Sequence, residues 1–324
     1  MTKNILITRE IPNIAISMLE SKGYVVDINK EDKIFTQEEL LALLSAKPYD
    51  GVITLLTDKI DEVVFKSSPS IKIISNYASG YDNVDIDQAK AHGVVVANSP
   101  TPLTNEAVAQ HTIAFMLTLA NRIIESDKFI REGKYDGWSP MRFIGTALSG
   151  KTLGLVGGGK IGERVACFAK GLGLKIIYTD VNKNEKMEQD HGAVFYSSLE
   201  ELLPQVDFLS LHVPLLPSTK HLINEKTLRM MKPTSFLINS SRGPVVDEHS
   251  LVKALQDKVI AGAGLDVFEF EPQISPELIQ LPNVVLTPHT ASANLETRED
   301  MAKVAAQNLI DFFKGEELKN IVNK

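Results

Sequence analysis

Three glycines in G-x-G-x-x-G spacing, Gly157, Gly159 and Gly162, could hold a phosphate group. Glycine is needed where a turn tightens, where backbone must touch a pyrophosphate, and where a helix packs closely on a strand. The pyrophosphate would lie on unpaired N–H groups at the N-terminus of the following helix. Asp180 comes 18 residues after Gly162, where a carboxylate can accept hydrogen bonds from the hydroxyls of an adenosine ribose. Together these residues predict a dinucleotide-binding site.

The surrounding sequence contains the elements that must position this turn. The apolar run 153–156 is typical of a strand buried on both faces, and a helical pattern follows the glycines until Gly171 and Gly173. A second apolar run, 176–178, ends at Asp180. Alone, a G-x-G-x-x-G motif is weak and often marks an ordinary glycine-rich turn. The two strands and the acid favour the dinucleotide site. Gly158 adds a further glycine inside the turn, and we expect it to loosen the packing there.

Short apolar strands alternate with helices along the whole chain, which predicts an α/β fold with doubly wound parallel sheets. In such sheets ligands bind at the carboxyl ends of the strands. The predicted strands are 5–7, 24–28, 51–54, 71–74, 94–97, 153–156, 176–178, 208–211, 235–239, 262–266 and 284–287, and the predicted helices include 14–19, 38–44, about 105–133 and 295–313.

A chain of 324 residues is too long for one small core, so we expect two domains. Two prolines in the stretch 98–102 favour extended backbone and suggest a crossing between domains there. The predicted division is residues 1–98 with about 290–324 in one domain and residues 99–289 in the other. This division predicts a cleft between the two.

The composition describes an ordinary globular protein, with 44% hydrophobic and 23% charged residues. A net charge of −7 argues against nucleic acid as a partner. The N-terminal residues lack the apolar core of a signal peptide, and no apolar run reaches membrane-spanning length. The single cysteine, Cys167, cannot form an internal disulfide, and we expect a buried thiol inside a helix. We therefore expect a cytoplasmic protein with no membrane partner and no metal.

Six segments in order give the chain a resemblance to one family over essentially its full length. They are Ser79–Asp85 (SGYDNVD), Gly157–Gly162 (GGGKIG), Leu211–Pro214 (LHVP), Ile238–Gly243 (INSSRG), Gly264–Pro272 (GLDVFEFEP) and Thr287–His289 (TPH). The sequence resembles the D-isomer-specific 2-hydroxyacid dehydrogenases. The resemblance implies an NAD(P)-dependent oxidoreductase, usually a homodimer, with a flavodoxin-like substrate domain and a Rossmann NAD-binding domain.

Three residues match the catalytic positions of this family. Reduction of a 2-keto acid needs a hydride, a proton for the carbonyl oxygen and a cation for the carboxylate. His289 suits the proton donor because imidazole titrates near neutral pH, and Glu271 matches its acid partner. Arg242 offers a planar fork that can bind the carboxylate and polarise the ketone. Taken singly, each could be an ordinary turn residue or strand-end cap.

The resemblance also implies binding residues. Ser79 and Gly80 would hold the substrate carboxylate through backbone N–H groups, although an ordinary β-turn explains them equally well. Asp266 would approach the nicotinamide amide. The implied cofactor-binding positions are Thr104, Gly157, Gly159, Lys160, Ile161, Gly162, Asp180, His212, Val213, Pro214, Thr219, Ser240, Ser241, Arg242, Asp266, His289, Ala291 and Ser292.

The residues around Asp180 predict a preference for NAD over NADP. A carboxylate at this position would repel the 2′-phosphate of NADP. The next residues, Val181-Asn182-Lys183, supply one lysine and no arginine. We therefore expect NAD(H) as the cofactor and weaker use of NADP(H).

Two segments bear on the substrate. Phosphoglycerate dehydrogenases of the family place an arginine in the loop that here reads Thr54-Leu55-Leu56-Thr57-Asp58. Without a cation, a phosphate buried there would be costly. The leucine pair and Gly137-Trp138-Ser139-Pro140 are similar to glyoxylate and hydroxypyruvate reductases, sometimes joined with 2-ketogluconate reductases. We therefore expect Leu55 to contact substrate.

In that subgroup the residue matching Trp138 reaches the active site of the partner subunit. Trp138 could equally be an interface anchor without substrate contact. The expected dimer interface is the helix at about 105–133 together with the Trp138 segment.

Three alternatives share this fold. One is D-3-phosphoglycerate dehydrogenase, and another is a non-catalytic NAD-sensing protein similar to transcriptional corepressors. Formate dehydrogenases usually carry glutamine where this chain has Glu271, which counts against that activity.

Overall fold

The computed structural model describes residues 2–324. The chain divides into two compact units. Unit 1 contains the residues up to Thr104 together with Ala293–Lys324, and unit 2 is Asn105–Ser292. No helix among residues 2–324 is both long and apolar enough to cross a membrane.

Unit 1 is a five-stranded parallel sheet with the strand order β2-β1-β3-β4-β5. This order reverses between β1 and β3, as in flavodoxin-like sheets. Its elements are β1 (Asn4–Ile7), α1 (Ile14–Glu20), β2 (Val25–Ile28), α2 (Gln37–Ser45), β3 (Gly51–Thr54), α3 (Glu62–Ser67), β4 (Ile73–Asn76), α4 (Ile86–Ala91), β5 (Val95–Ala97), the first residues of α5 (Pro102–Ala120) and α13 (Leu295–Lys314).

Alternation along the strands of unit 1 produces a core on each face of the sheet. Successive side chains of a strand point to opposite faces, so Ile5 and Ile7 pack with α1 and α13 while Leu6 packs with α2 and α3. All three are buried. Helices therefore cover both faces, which explains why these short strands are mostly apolar.

The C-terminal residues complete unit 1. Helix α13 ends at Gly315, which adopts the left-handed φ of 72°. The chain then returns to β5, where the N–H of Asn98 donates to Asn320 and the N–H of Val322 donates to Val96. This pairing covers the edge of the sheet, which would otherwise expose unpaired backbone groups.

Unit 2 is a seven-stranded parallel sheet with the order β12-β11-β10-β9-β6-β7-β8. Its elements are the remainder of α5, α6 (Ile123–Arg131), β6 (Thr152–Val156), α7 (Lys160–Gly171), β7 (Lys175–Thr179), α8 (Glu185–His191), β8 (Val194–Phe195), α9 (Leu199–Leu202), β9 (Phe208–Leu211), α10 (Glu225–Leu228), β10 (Phe236–Asn239), α11 (Glu248–Gln256), β11 (Gly262–Leu265), α12 (Pro276–Gln280) and β12 (Val284–Leu286). The order reverses between β6 and β9, the crevice where such sheets bind dinucleotides. The predicted α/β class with two doubly wound parallel sheets is confirmed.

The prediction of one long helix at about 105–133 is wrong, because the structure has two helices, α5 and α6. Between them Arg122 takes the left-handed φ of 51°. The Ala120 carbonyl accepts the N–H of Thr146 at 2.9 Å instead of an N–H one turn later. This contact spans 26 residues of sequence, so helical periodicity gave no sign of it.

Two smaller expectations also differ. The fourth strand is 73–76 and not 71–74, because its register with β3 pairs Gly51 with Ile73 while the Ile71 N–H closes a turn onto Ser68. Cys167 lies in α7 as expected, but it is half-buried. Its sulfur accepts a 3.7 Å contact from Arg164.

Candidate active site

Three of the implied residues follow three neighbouring strands of unit 2. Arg242 follows β10, Asp266 follows β11 and His289 follows β12. The strands are parallel and adjacent, so their carboxyl ends meet at one edge of the sheet. Glu271 lies in the loop after β11, and this loop brings it back to His289.

Glu271 and His289 form a hydrogen-bonded pair. Oε2 of Glu271 lies 3.1 Å from Nδ1 of His289, and Oε1 accepts the N–H of Phe268 at 2.9 Å. Burial raises the pKa of the Glu271 carboxyl, but the hydrogen bond and charge of His289 outweigh it. With the Phe268 N–H and the Arg242 charge, the pKa lies below its ordinary value. The group is therefore a carboxylate at neutral pH, and Nε2 is the imidazole nitrogen that can serve a ligand.

His289 is held in an unusual backbone conformation. Its φ of 54° lies in the left-handed region, which few residues other than glycine occupy. Its N–H donates to the carbonyls of Asp266 at 2.8 Å and Thr287 at 3.0 Å. Strained residues of this kind cluster at functional sites, and the sequence carries no local signal of it.

Asp266 is fully buried and supports the loop that carries His289. Its carboxylate accepts the Thr287 hydroxyl at 2.5 Å and the N–H groups of Thr290 and Ala291 at 2.7 and 2.8 Å. The implied contact of Asp266 with nicotinamide is an additional role that stays a prediction.

His111 is a site neighbour that the sequence placed only on a helix. Its Nε2 lies 3.0 Å from the Thr287 hydroxyl and 3.7 Å from Oδ1 of Asp266. Burial lowers the pKa of His111, and the Asp266 charge opposes this only in part. A neutral His111 therefore lies beside the buried carboxylate of Asp266.

Arg242 extends from a turn that Asn239 organises. Oδ1 of Asn239 accepts the N–H and the hydroxyl of Ser241, and its amide donates to the Arg242 carbonyl at 2.9 Å. The guanidinium Nη1 donates to the Ser241 carbonyl at 2.8 Å. The hydroxyls of Ser240 and Thr112 hydrogen-bond to each other at 3.0 Å. The charge of Arg242 also acts on Glu271, so the guanidinium and the acid–imidazole pair share one site.

The glycine turn fits a bound pyrophosphate. A Cβ on Gly157, whose φ is 105°, would lie 2.6 Å from the His212 carbonyl oxygen, and one on Gly162 would lie 2.2 Å from that of Gly157. Gly159 faces open space and precedes α7, which begins with Lys160 and Ile161. The turn is thus packed against backbone at Gly157 and Gly162 and open to solvent at Gly159. The N–H groups of the first helical turn are available to an anion.

Asp180 ends β7 beside this turn. Its Oδ2 accepts the N–H of Gly158 and its Oδ1 accepts the N–H of Val181, each at 2.6 Å. The expected loosening at Gly158 is wrong, because a Cβ there would lie 3.0 Å from the ring of Tyr178. That ring is fully buried and fills the space. Asp180 is therefore held by backbone N–H groups of the glycine turn and of the next residue.

The remaining implied residues of unit 2 follow β9 or His289, or lie in a turn farther along the chain. His212, Val213 and Pro214 follow β9, the strand next to β6, and Ala291 and Ser292 follow His289. Burial lowers the pKa of His212 to about 3, so this imidazole is neutral and cannot be the proton donor. Its Nε2 pairs with the Ser210 hydroxyl at 2.9 Å. Thr219 lies farther along and closes its own turn onto Pro214.

Unit 1 carries the implied substrate residues at its own carboxyl edge. Leu55 follows β3, and Ser79 and Gly80 follow β4. Sequence reasoning missed the two amides that join them. Asn83 donates to the Leu55 carbonyl and Asn76 donates to the Gly80 carbonyl, each at 3.0 Å, and the two amides pair with each other. Thr104, at the boundary of unit 1, hydrogen-bonds through its N–H to Thr101.

In the loop after β3 the one acidic side chain does not face solvent. Asp58 is buried, and its carboxylate turns inward to accept the Leu55 N–H at 2.8 Å and the Thr8 hydroxyl at 2.5 Å. Burial raises the pKa of Asp58. The loop has no arginine of its own, but Arg9 donates to the Thr57 hydroxyl at 2.7 Å. Arg9 follows β1 and is therefore far from this loop in sequence.

No group of three or more histidine, cysteine or acidic side chains suited to a metal ion occurs among residues 2–324. Trp138, the remaining implied residue, is 85% exposed in the single chain.

Comparison with known proteins identifies the family. A family model described as D-isomer specific 2-hydroxyacid dehydrogenase, NAD binding domain, matches residues 113–291. This range covers more than half of the chain and contains the glycine turn, Arg242, Glu271 and His289.

Individual relatives match over the full length. A glyoxylate reductase of Thermococcus litoralis is 47% identical over 328 residues, with 100% of this chain and 98% of the relative covered. The crystal structure of a glyoxylate reductase from Paecilomyes thermophila superposes with a TM-score of 0.87 at 31% identity, covering 99% and 98% of the two chains. An NADPH-dependent glyoxylate/hydroxypyruvate reductase from Sinorhizobium meliloti, solved with NADP and malonate, gives a TM-score of 0.85 at 31% identity, covering 99% and 97%. The chain therefore belongs to the D-isomer-specific 2-hydroxyacid dehydrogenase family, in its glyoxylate reductase subgroup, and is an oxidoreductase acting on the CH–OH group with a nicotinamide cofactor.

Proposed function

We propose that the protein reduces glyoxylate or hydroxypyruvate with NADH, using Arg242, Glu271 and His289. The observation that carries this proposal is the contact of 3.1 Å between Glu271 and His289 at the carboxyl edge of unit 2. A carboxylate beside an imidazole favours the charged ring, and a charged ring can donate a proton to a carbonyl oxygen as the ketone is reduced.

The residues of the site divide the work of the reaction. A nicotinamide cofactor held by the glycine turn and the first turn of α7 would supply the hydride. His289 donates the proton from Nε2, because Nδ1 is turned to Glu271. The guanidinium of Arg242 binds the substrate carboxylate and stabilises negative charge on the carbonyl oxygen. In unit 1, we propose that the backbone N–H groups of Ser79 and Gly80 bind substrate and that Leu55 contacts it.

A panel of 2-keto acids with both nicotinamide cofactors tests the function. We expect oxidation of NADH with glyoxylate and hydroxypyruvate, and little with 3-phosphohydroxypyruvate. Activity with the phosphorylated acid alone would support phosphoglycerate dehydrogenase activity. In that case Arg9, which contacts the loop after β3, would be the candidate to bind the phosphate. Tight NADH binding without turnover of any acid would indicate an NAD-sensing protein instead.

The cofactor preference is a separate prediction. We expect kcat/KM to favour NADH over NADPH by at least about tenfold, equivalent to about 1.4 kcal/mol. The reason is that the Asp180 carboxylate ends β7 beside the glycine turn, where it repels a 2′-phosphate. Asp180→Ala should narrow this ratio, while Asp190→Ala on α8 should leave it unchanged. Equal turnover with the two cofactors in the native protein would contradict the assignment.

We also propose a homodimer that forms through α6 and residues 135–144. The apolar residues of α5, such as Phe115 and Met116, are buried within unit 2, so the expected interface narrows to the segment after it. Large apolar side chains there are about half exposed or more, and a groove of about 550 Å³ lies beside them. The exposed side chains are Ile123, Ile124, Ile130, Tyr135, Trp138, Met141 and Ile144. Exposed large apolar side chains concentrated in one segment are typical of a protein interface.

Light scattering tests the dimer. We expect a mass of about twice the chain mass of 35.7 kDa, and Ile130→Glu should shift it toward the monomer because the charge would be buried at the interface. Ile279→Glu on α12, which is also exposed, serves as the control. A monomeric native protein would rule out the interface and any contribution of Trp138 to a partner's site.

A further inference from the structure

A second histidine–glutamate pair lies close to the first. Nε2 of His221 is 2.5 Å from Oε1 of Glu269, whose side chain is only 10% exposed. His221 takes the left-handed φ of 51°, and its N–H donates to the Pro244 carbonyl at 2.8 Å. Glu269 precedes Glu271 by two residues. None of the roles assigned above uses this pair.

Glu269 is joined to Glu248 by two reciprocal hydrogen bonds. The Glu248 N–H donates to Oε2 of Glu269, and the Glu269 N–H donates to Oε2 of Glu248, each at 3.0 Å. Glu248 is the first residue of α11, so the Glu269 carboxylate lies at the positive end of a nine-residue helix. Two buried acidic side chains are therefore satisfied by backbone donors.

The second oxygen of Glu248 reaches beyond Glu271. Its Oε1 accepts the N–H of Ser275 at 3.0 Å and the Ser275 hydroxyl at 2.5 Å. One buried carboxylate thus holds the chain on both sides of Glu271, at residues 269 and 275. Within this segment Glu271 accepts the Phe268 N–H and contacts His289.

We propose that Glu248, Glu269 and His221 are positioning residues that hold Glu271 against His289. The inference rests on the proposed roles of Glu271 and His289. His221 orients the Glu269 carboxylate, Glu269 and Glu248 fix the near side of the loop, and Ser275 fixes the far side. An unpaired donor or acceptor left in this buried network would be costly, so the loop has one favoured position.

Charged groups face the network from both sides. Asp247, the residue before α11, faces His221 and His249. Burial raises the pKa of Asp247, but the hydrogen bonds from Ser250 and the charges of these two histidines lower it by more, so the pKa lies below its ordinary value. Arg242 and His289 face Glu271 from the other side. Glu269 itself is met by His221 and by the N–H of Glu248.

A matched pair of variants tests the proposal. In Glu269→Gln the amide oxygen can still accept the Glu248 N–H and the amide nitrogen can still face His221, whereas Glu269→Ala removes both contacts. We expect kcat for keto-acid reduction to fall about 10- to 100-fold in Glu269→Ala, since small displacements of catalytic groups have effects of this size. Glu269→Gln should stay within about threefold of the native kcat. The exposed variant Glu277→Ala is the control.

The pH profile separates positioning from a loss of folded protein. We expect the alkaline limb of kcat/KM to move to lower pH in Glu269→Ala, because a displaced Glu271 no longer favours the charged imidazole. The dissociation constant for NADH, measured by fluorescence, should change less than about twofold. A native alkaline limb in Glu269→Ala, or a loss in Glu269→Gln equal to that in Glu269→Ala, would overturn the proposal.

Two further variants complete the test. If Glu269→Ala does not fold, His221→Phe removes the partner of Glu269 at a partly exposed position, and its alkaline limb should move the same way; an unmoved limb overturns the proposal. Glu271→Gln is the reference for the catalytic pair. If Glu271→Gln leaves the limb in place, the proposed roles of the pair fail. If Glu271→Gln moves the limb and Glu269→Ala does not, only the positioning network fails.

Discussion

Replacement of His289 by glutamine is expected to lower kcat for glyoxylate reduction about 1,000-fold, or about 4 kcal/mol of transition-state stabilisation. Glutamine can keep a hydrogen bond to Glu271, which lies 3.1 Å from Nδ1, but it has no titratable proton to transfer. The carbonyl oxygen would then take its proton from water. Steady-state rates at saturating NADH and keto acid measure this loss.

The companion measurements show whether the loss is chemical. The dissociation constant for NADH should rise by a much smaller factor than kcat falls, because the glycine turn and Asp180 are untouched even though His289 is itself an implied cofactor-binding position. His92→Gln, a change at an exposed histidine of unit 1, should have native kcat. If His289→Gln retains a kcat within about tenfold of the native protein, another group donates the proton.

The second large effect concerns Gly243, which lies next to Arg242. A Cβ at this position would lie 1.8 Å from the carbonyl oxygen of Phe268 and 2.6 Å from the N–H nitrogen of Glu269. Both are backbone atoms and cannot rotate away, so Gly243→Ala must displace the loop that carries Glu271. We expect unit 2 to lose about 3 kcal/mol of unfolding free energy, in the upper range for overpacking. Urea unfolding followed by circular dichroism measures it.

Activity and a matched glycine complete this test. Since the displaced loop carries Glu271 and contacts the residue next to Arg242, folded Gly243→Ala should also lose most of its kcat. Gly171→Ala is the control, because its added Cβ meets nothing within 4 Å and its backbone is helical. That change should be neutral or slightly stabilising, as alanine favours helix over glycine. A Gly243→Ala protein as stable as Gly171→Ala would show that the loop moves freely.

Local chemistry explains what sequence reasoning predicted well. The strands of both sheets follow from apolar runs that helices cover on both faces, and the glycine turn follows from the close approaches at Gly157 and Gly162. The placement of Arg242 and His289 at neighbouring strand ends follows from parallel pairing. In each case the signal lies in a short stretch of sequence, although the contacts themselves form in the folded sheet.

Contacts between distant segments explain what was mispredicted. The break between α5 and α6 depends on Thr146, and the inward turn of Asp58 depends on Thr8. Arg9 reaches the loop after β3 from another strand. None of these partners lies within one helical turn of the residue that it affects, so no local pattern records them.

By itself, then, the sequence determined the fold class, the dinucleotide turn and the chemical types of the site residues, because periodicity and glycine spacing act over a few residues. Only the tertiary structure decided that His289 adopts a left-handed backbone and that the Asp266 carboxylate accepts hydrogen bonds from the loop after β12. It also decided that Glu248 binds the chain on both sides of Glu271. These features arise where separate strands and helices end together, and each hydrogen bond there joins residues that only the folded sheet makes neighbours.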